Sequence, residues 1–207
     1  MLELNPGNSA RYQDVAMTDT LHQMLDFLRA TEQLKNTLRS GRTSQGRPES
    51  TAEHTWRLCL MALLFEDAYP GIDHHRLLKL CVVHDLGEAL YGDIPAIEQD
   101  PTADKTSEER QHFLELLTPL PEAQQRALLA LWDEYNAMAT PEARLAKAFD
   151  KLETLLQHTQ GRNIDSFDYA FNLDYGRRYT DLDPLTQTLR ALIDVETQRR
   201  ADASLSP

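Results

Sequence analysis

Apolar residues recur along this chain at the three- and four-residue spacing of helices, broken by short polar stretches that carry Pro and Gly. Residues 1–17 are polar and contain Pro6, Gly7 and Asn8, which predicts an irregular arm. Thr18 or Asp19 caps a predicted helix running to about Leu38, with Leu21, Met24, Leu25, Leu28, Leu34 and Leu38 as its apolar positions. Residues 39–51 read as a loop. Ser50 and Glu53 fit a capping box for the next helix, which carries Trp56, Leu60, Leu63, Leu64 and Ala68 and stops before Pro70-Gly71. A further helix is predicted from Asp73 to Gly92, with Leu77, Leu80, Cys81 and Leu86 facing the core. After a loop from Asp93 through Pro101, helices are expected over 105–117 and 122–138. Trp56 and Trp132 both sit at core spacing and read as packing residues. Thr140-Pro141 opens a helix whose stripe is Leu145, Ala148, Phe149, Leu152 and Leu156. Residues 161–181 are expected to form a long ordered loop, Pro184 to start a last helix to about Gln198, and the tail to fray. The expected fold is all-α: an arm (1–17), a core (18–160), a C-terminal loop and helix packed on it (161–200) and a tail (201–207).

Composition narrows the function classes. With 207 residues and 41% hydrophobic content, the chain is long enough for one domain with a proper core. A formal charge of −12 disfavours a nucleic-acid partner. The apolar runs are too short to span a bilayer, so no membrane role is expected. Cys59 and Cys81 lie inside apolar helical patterns and read as buried thiols of a reducing compartment. The N-terminal stretch lacks the basic-then-apolar signature of a signal peptide. The expected location is cytoplasmic.

The candidate chemistry is concentrated in polar residues that interrupt apolar helices. His54, the His84-Asp85 pair and Asp150 are four side chains of metal-ligating type on three predicted helices. An acid such as Asp150, inside an apolar stripe, must be paired or must bind something. Imidazoles and carboxylates suit a borderline or hard divalent ion, and Co, Mn, Mg, Zn, Ni and Fe are all compatible. Glu88, four residues beyond His84, is placed to orient water or move a proton, and Asp93 follows at the mouth of the same site. The acidic chain places Arg39, Arg42 and Arg47 just before His54. These arginines are either solvated surface or forks for phosphate oxygens. Glu53 reads as a capping or supporting residue.

The segments PESTAEHTW, VHDLGEALYGDIP and TPEARLAKAFDKLE together resemble the HD-domain metal-dependent phosphohydrolases, in particular the branch that includes 5'-deoxynucleotidases. The resemblance spans roughly residues 20–160 and implies the helical HD fold. By position it implies His54, His84, Asp85 and Asp150 as metal ligands and Glu88 and Asp93 as catalytic acids. It also implies Arg39 as a phosphate contact, and a homodimer. The chain departs from many relatives in having no aromatic residue in SGRTSQGR, after Arg39, and its FDYAFNLDYGRRY segment lies outside the shared pattern.

The reaction so implied is hydrolysis of a (deoxy)nucleoside 5'-monophosphate to nucleoside and phosphate, with a small nucleotide or phosphate ester as substrate. Three alternatives stand beside it. The first is a dNTP triphosphohydrolase drawing on Arg42, Arg47, Arg177 and Arg178. The second is two-iron chemistry recruiting His74, His75 or His112. The third is a helical binding protein with a vestigial metal site.

Overall fold

In a computed structural model of the chain, the described residues are 6–95, 97 and 105–204, with side chains described at 17–95, 97 and 106–204. Helix α1 spans Pro6–Thr31, so the expected start at Thr18 is too late and most of the expected arm is helical. Met24, Phe27 and Ala30 of α1 pack inward, whereas Leu21, Leu25 and Leu28 of the expected stripe are exposed. The helix tightens to a 3-10 turn over Glu32–Lys35 and does not reach Leu38.

The expected loop at 39–51 is instead an antiparallel hairpin of β1 (Leu38–Arg42) and β2 (Pro48–Ser50), the only strands among the described residues. Its polar strands give no alternating apolar signal. The turn closes through Thr43 N–H to Arg47 O at 2.8 Å, with Gly46 at φ +89°. The hairpin is pinned to the end of α7 (Pro141–Gln160): Gln157 Nε2 donates to Arg42 O at 2.6 Å, and Arg162 N–H to Thr43 O at 3.0 Å. A Cβ on Gly161 would lie 2.2 Å from Arg42 O. Gly161→Ala is therefore expected to destabilise the fold by about 1–3 kcal/mol, as overpacking does, and to lower the urea midpoint.

Helix α2 (Thr51–Leu64) begins with the expected capping box, in which Ser50 Oγ accepts from Glu53 N–H and the Glu53 carboxylate accepts from Ser50 N–H. It buries Thr51, His54, Leu58 and Ala62. The expected stripe is therefore corrected: Trp56, Leu60, Leu63 and Leu64 face outward, Trp56 being 66% exposed. The helix offers two candidate apolar stripes. The one that packs on α3 and α7 contains His54, a residue that spacing alone does not mark as core.

Helix α3 (His74–Val83) starts at Asp73, whose side chain accepts from Arg76 N–H. It ends before His84, short of the expected Gly92. A turn carried by three-residue hydrogen bonds, Leu86 N–H to Val83 O and Glu88 N–H to Asp85 O, leads into the short α4 (Glu88–Tyr91). Helices α5 (Lys105–Leu117) and α6 (Glu122–Ala137) match expectation, and α7 begins at the Thr140 cap with Pro141 in its first turn.

Residues 161–181 are corrected from a loop to two short helices, α8 (Tyr169–Asp174), capped by Asp168, and α9 (Arg177–Thr180). Helix α10 (Pro184–Ser204) runs past Gln198 into the expected tail, whose residues 205–207 lie outside the described residues. Arg190 of α10 is fully buried and donates to the carbonyls of Asn172, Leu173 and Tyr175, which ties α8 to α10.

Two apolar clusters flank the polar centre. One joins Leu58, Leu77, Leu80, Phe149 and Leu152 from α2, α3 and α7; Phe113, Leu117, Val83 and Trp132 build the other with α5 and α6. Trp132 is buried as expected. Among the described residues, no helix is long and apolar enough to cross a membrane.

Candidate metal centre

His54, His84, Asp85 and Asp150 meet where α2, the end of α3 and α7 converge. His54 and His84 are buried, with ring centroids 5.5 Å apart. Ligand atoms of His54, His84 and Asp85 all lie within 4.8 Å of one another. Asp85 Oδ2 is 2.9 Å from His84 Nε2 and 3.8 Å from His54 Nε2, and Asp150 Oδ1 is 3.4 Å from His54 Nε2. Asp150 thus joins the group of three through His54.

The outer nitrogens define the inner ones. His84 Nδ1 donates to Cys81 O at 2.8 Å, and His54 Nδ1 donates to the Glu153 carboxylate. Each imidazole therefore turns the lone pair of Nε2 toward the acids. Both Nε2 atoms are buried without a hydrogen-bond partner. Nε2 lone pairs facing carboxylate oxygens repel unless a proton or a metal cation lies among them, and this donor set of two imidazoles and two carboxylates fits a divalent ion. Electrostatics point the same way. Burial and Arg39 oppose a proton on His54, yet Glu153 and Asp150 carry its pKa up to about 9. The surroundings draw a positive charge, which His54 carries as a second proton and which a divalent ion would supply in that proton's place. The metal-binding cluster thus supports a divalent cofactor of unassigned identity.

Asp150 Oδ2 accepts from Tyr135 Oη at 2.6 Å and lies 3.0 Å from Lys151 Nζ. Burial opposes ionisation of Asp150, but Lys151 and the two imidazoles outweigh it and hold the carboxyl well below the ordinary range. Burial likewise opposes a charge on Asp85, which His84 and Arg39 overcome. Lys147 stands 3.9 Å over the Tyr135 ring; burial and Lys151 lower its pKa to about 8.

Glu88 lies beside this centre. Its Oε2 accepts from the buried Thr51 Oγ1 at 3.0 Å, so the first residue of α2 anchors an acid from α4. Burial, then the charges of Asp85 and Asp93, push the Glu88 carboxyl well above its ordinary value. Arg39 reaches in from β1, with Nη1 3.2 Å from Asp85 Oδ2 and Nη2 donating to Thr154 Oγ1 at 3.2 Å. Asp93 is half-buried, and its charge acts on both Arg39 and Glu88.

Arg42 and Arg47 are not brought to the centre. Arg42 Nη1 donates to Gly46 O at 2.7 Å within the hairpin, and exposed Arg47 pairs with Glu53 at 2.5 Å. Glu53 therefore serves the cap and Arg47 rather than His54. Arg177 pairs with Asp194 on α10, and Arg178 lies over the Tyr179 ring. His74 bonds Tyr69 O and His112 stacks on Tyr91, so neither joins the metal cluster.

Apolar spacing alone does not mark Glu153. It stands in the FDKLE run three residues after Asp150, on the same helical face, which is the signal the sequence offers. Glu49 is likewise unmarked; it is buried near His54 and Arg39, and burial followed by Glu153 raises its pKa to about 7.

The HD domain model matches residues 31–190. The 5'-deoxynucleotidase HDDC2 of Bos taurus is 33% identical over 145 residues, covering 69% of this chain and 70% of that protein. Its Homo sapiens counterpart is 32% identical over 155 residues, covering 70% and 75%. The crystal structure of a predicted metal-dependent phosphohydrolase from Magnetospirillum magnetotacticum MS-1 superposes with a TM-score of 0.76 at 29% identity, covering 91% of this chain and 97% of that one.

Proposed function

The chain belongs to the HD-domain family of metal-dependent phosphohydrolases, and from that premise we propose that it hydrolyses deoxynucleoside 5'-monophosphates to nucleoside and phosphate. The observation that carries this reading is the convergence of two buried imidazole Nε2 atoms with Asp85 and Asp150, beside an arginine and the half-buried Glu88. We assign His54, His84, Asp85 and Asp150 as the residues that hold the ion. When bound there, a divalent ion supplies a Lewis acid that polarises phosphate and promotes ionisation of water.

The chain's own residues divide the remaining work. Arg39, its side chain 13% exposed and oriented by Asp85 and Thr154, presents guanidinium N–H groups to phosphate oxygens and stabilises charge developing there. Glu88, held by Thr51, moves the proton between the attacking water and the leaving 5'-oxygen, and Asp93 adds a negative charge that steadies the Arg39 cation and favours the protonated form of Glu88. Its relatives' names support a 5'-deoxynucleotide substrate. The positions of Arg42, Arg47, Arg177 and Arg178 away from the centre favour a single phosphate over a triphosphate. The same reading includes a homodimer, for which the exposed apolar face of α2 (Trp56, Leu60, Leu63 and Leu64) is the support; sedimentation velocity measures it.

A panel of deoxynucleoside and ribonucleoside mono- and triphosphates, with products resolved by ion-exchange chromatography, tests the substrate. Orthophosphate from the deoxy-monophosphates is expected; tripolyphosphate from the triphosphates would assign the alternative reaction. In the same assay Arg39→Lys, which loses the planar fork, is expected to lower kcat/KM by about 10²-fold, the scale of one lost charge-stabilising donor. Arg42→Ala and Arg47→Ala are expected to leave kcat/KM largely unchanged.

A further inference from the structure

A second group of acids surrounds His54 on the side opposite Asp85 and Asp150. Ligand atoms of Glu49, His54 and Glu153 also lie within 4.8 Å of one another, and all three residues are buried. Distance alone allows another metal ion here. The hydrogen bonds argue otherwise. Glu153 is fully buried and uses both oxygens: Oε2 accepts from His54 Nδ1, and Oε1 accepts from Arg57 Nε at 2.5 Å. Arg57 is itself held by Gln160 Oε1 at 2.8 Å. Arg39 Nε lies 3.9 Å from Glu49 Oε2. Two guanidinium groups therefore already supply the positive charge in this group, and the nitrogen that His54 would offer a second ion is occupied by a proton donated to Glu153.

We propose that Glu153, backed by Arg57, is a positioning residue that fixes the tautomer and ring orientation of His54 for the metal, and that the Glu49–His54–Glu153 group is not a second metal site. This rests on His54 being a ligand of the catalytic ion. In the neutral ring that binds a metal, the Nδ1–H to carboxylate bond leaves Nε2 as the only lone pair, aims it at Asp85 and Asp150, and strengthens it as a donor. Arg57 on α2 and Gln160 at the end of α7 clamp the carboxylate from outside, so a chain of contacts Gln160–Arg57–Glu153–His54 runs from the protein surface to the metal-facing nitrogen.

The test is a titration of metal-free protein with Co2+, followed by calorimetry and by the visible absorption of the bound ion. It is run on the wild type, Glu153→Gln and Arg57→Gln, with thermal unfolding of each metal-free protein alongside. One Co2+ per chain is expected in all three. Glu153→Gln is expected to weaken binding about 10- to 100-fold, the range for an outer partner of a ligating histidine, and, because it also takes a fully buried carboxylate from Arg57, to lower the metal-free melting temperature. Arg57→Gln is expected to weaken it in the same direction by less, and carries the test if Glu153→Gln does not fold. A lowered melting temperature with unchanged Co2+ affinity would reduce Glu153 to a structural role and overturn the proposal. Two Co2+ per chain in the wild type, with one lost in Glu153→Gln, would overturn it in favour of a second site. Neither readout requires turnover, so weakened Co2+ binding in a protein that hydrolyses no phosphate ester would leave the positioning role standing and sink the phosphohydrolase reading instead.

Discussion

Asp85→Ala is expected to lose metal binding and phosphate-ester hydrolysis together. Asp85 Oδ2 is the hub of the centre, 2.9 Å from His84 Nε2, 3.8 Å from His54 Nε2 and 3.2 Å from Arg39 Nη1. Removing it takes a negative charge from among two imidazoles and frees Arg39 from the carboxylate that orients it. The Lewis-acid contribution of a bound divalent ion is worth several kcal/mol, and each 1.36 kcal/mol is tenfold in rate. A loss of about 10³-fold or more in kcat/KM is therefore expected, with metal content falling in parallel. Elemental analysis and phosphate release on one preparation check both, and circular dichroism establishes that the helices persist. Retained metal with a retained rate would remove Asp85 from the site.

Glu88→Gln is expected to separate what Asp85→Ala joins. Gln keeps the volume of Glu88 and an oxygen for Thr51 Oγ1, which lies 3.0 Å from Glu88 Oε2, so the fold and the metal-facing atoms stay in place. What it removes is a carboxyl able to take and return a proton. Positioned acid–base groups contribute about 10²–10⁴-fold, and kcat is expected to fall within that range while metal content stays at the wild-type level. Arg39 and the ligand residues are untouched, so KM for the monophosphate is expected to change little. Loss of metal in Glu88→Gln would make Glu88 a ligand; an undiminished kcat would assign proton transfer elsewhere.

These two variants address residues that were legible in the sequence because chemistry and packing conflict there. An acid or imidazole in an apolar helix needs a partner, and His54, His84, Asp85 and Asp150 stood out for that reason. The structure sets atoms of ligating type on His54, His84 and Asp85 within 4.8 Å of one another and Asp150 Oδ1 3.4 Å from His54 Nε2. The helices of the core were legible because Leu77, Leu80, Phe149 and Leu152 repeat at helical spacing, and Ser50, Asp73 and Thr140 announce their starts.

What was not legible depends on contacts distant in sequence or on an ambiguous face. Composition alone leaves Arg39, Arg42 and Arg47 equivalent within one basic stretch, and only the family resemblance singles out Arg39; the hairpin directs Arg39 to Asp85 and the other two to its own turn and to the cap of α2. Helix α2 has two apolar stripes. The larger side chains, Trp56 and Leu64, are on the exposed one, so size and spacing favoured the wrong face. Glu153 sits ninety-nine positions from His54, and only the packing of α2 on α7 pairs them. The stretch from Tyr169 to Thr180 is ordered by Arg190, a buried cation that a sequence pattern assigns to solvent.

The most direct measurement of the central claim is 31P NMR of a deoxynucleoside 5'-monophosphate incubated with protein stripped of metal and then reloaded with one divalent ion per chain. No orthophosphate is expected from the stripped protein, with its appearance on reloading and none from reloaded Asp85→Ala. Orthophosphate released at the same rate by the stripped protein, or none from a reloaded protein whose metal content is confirmed, would contradict that claim.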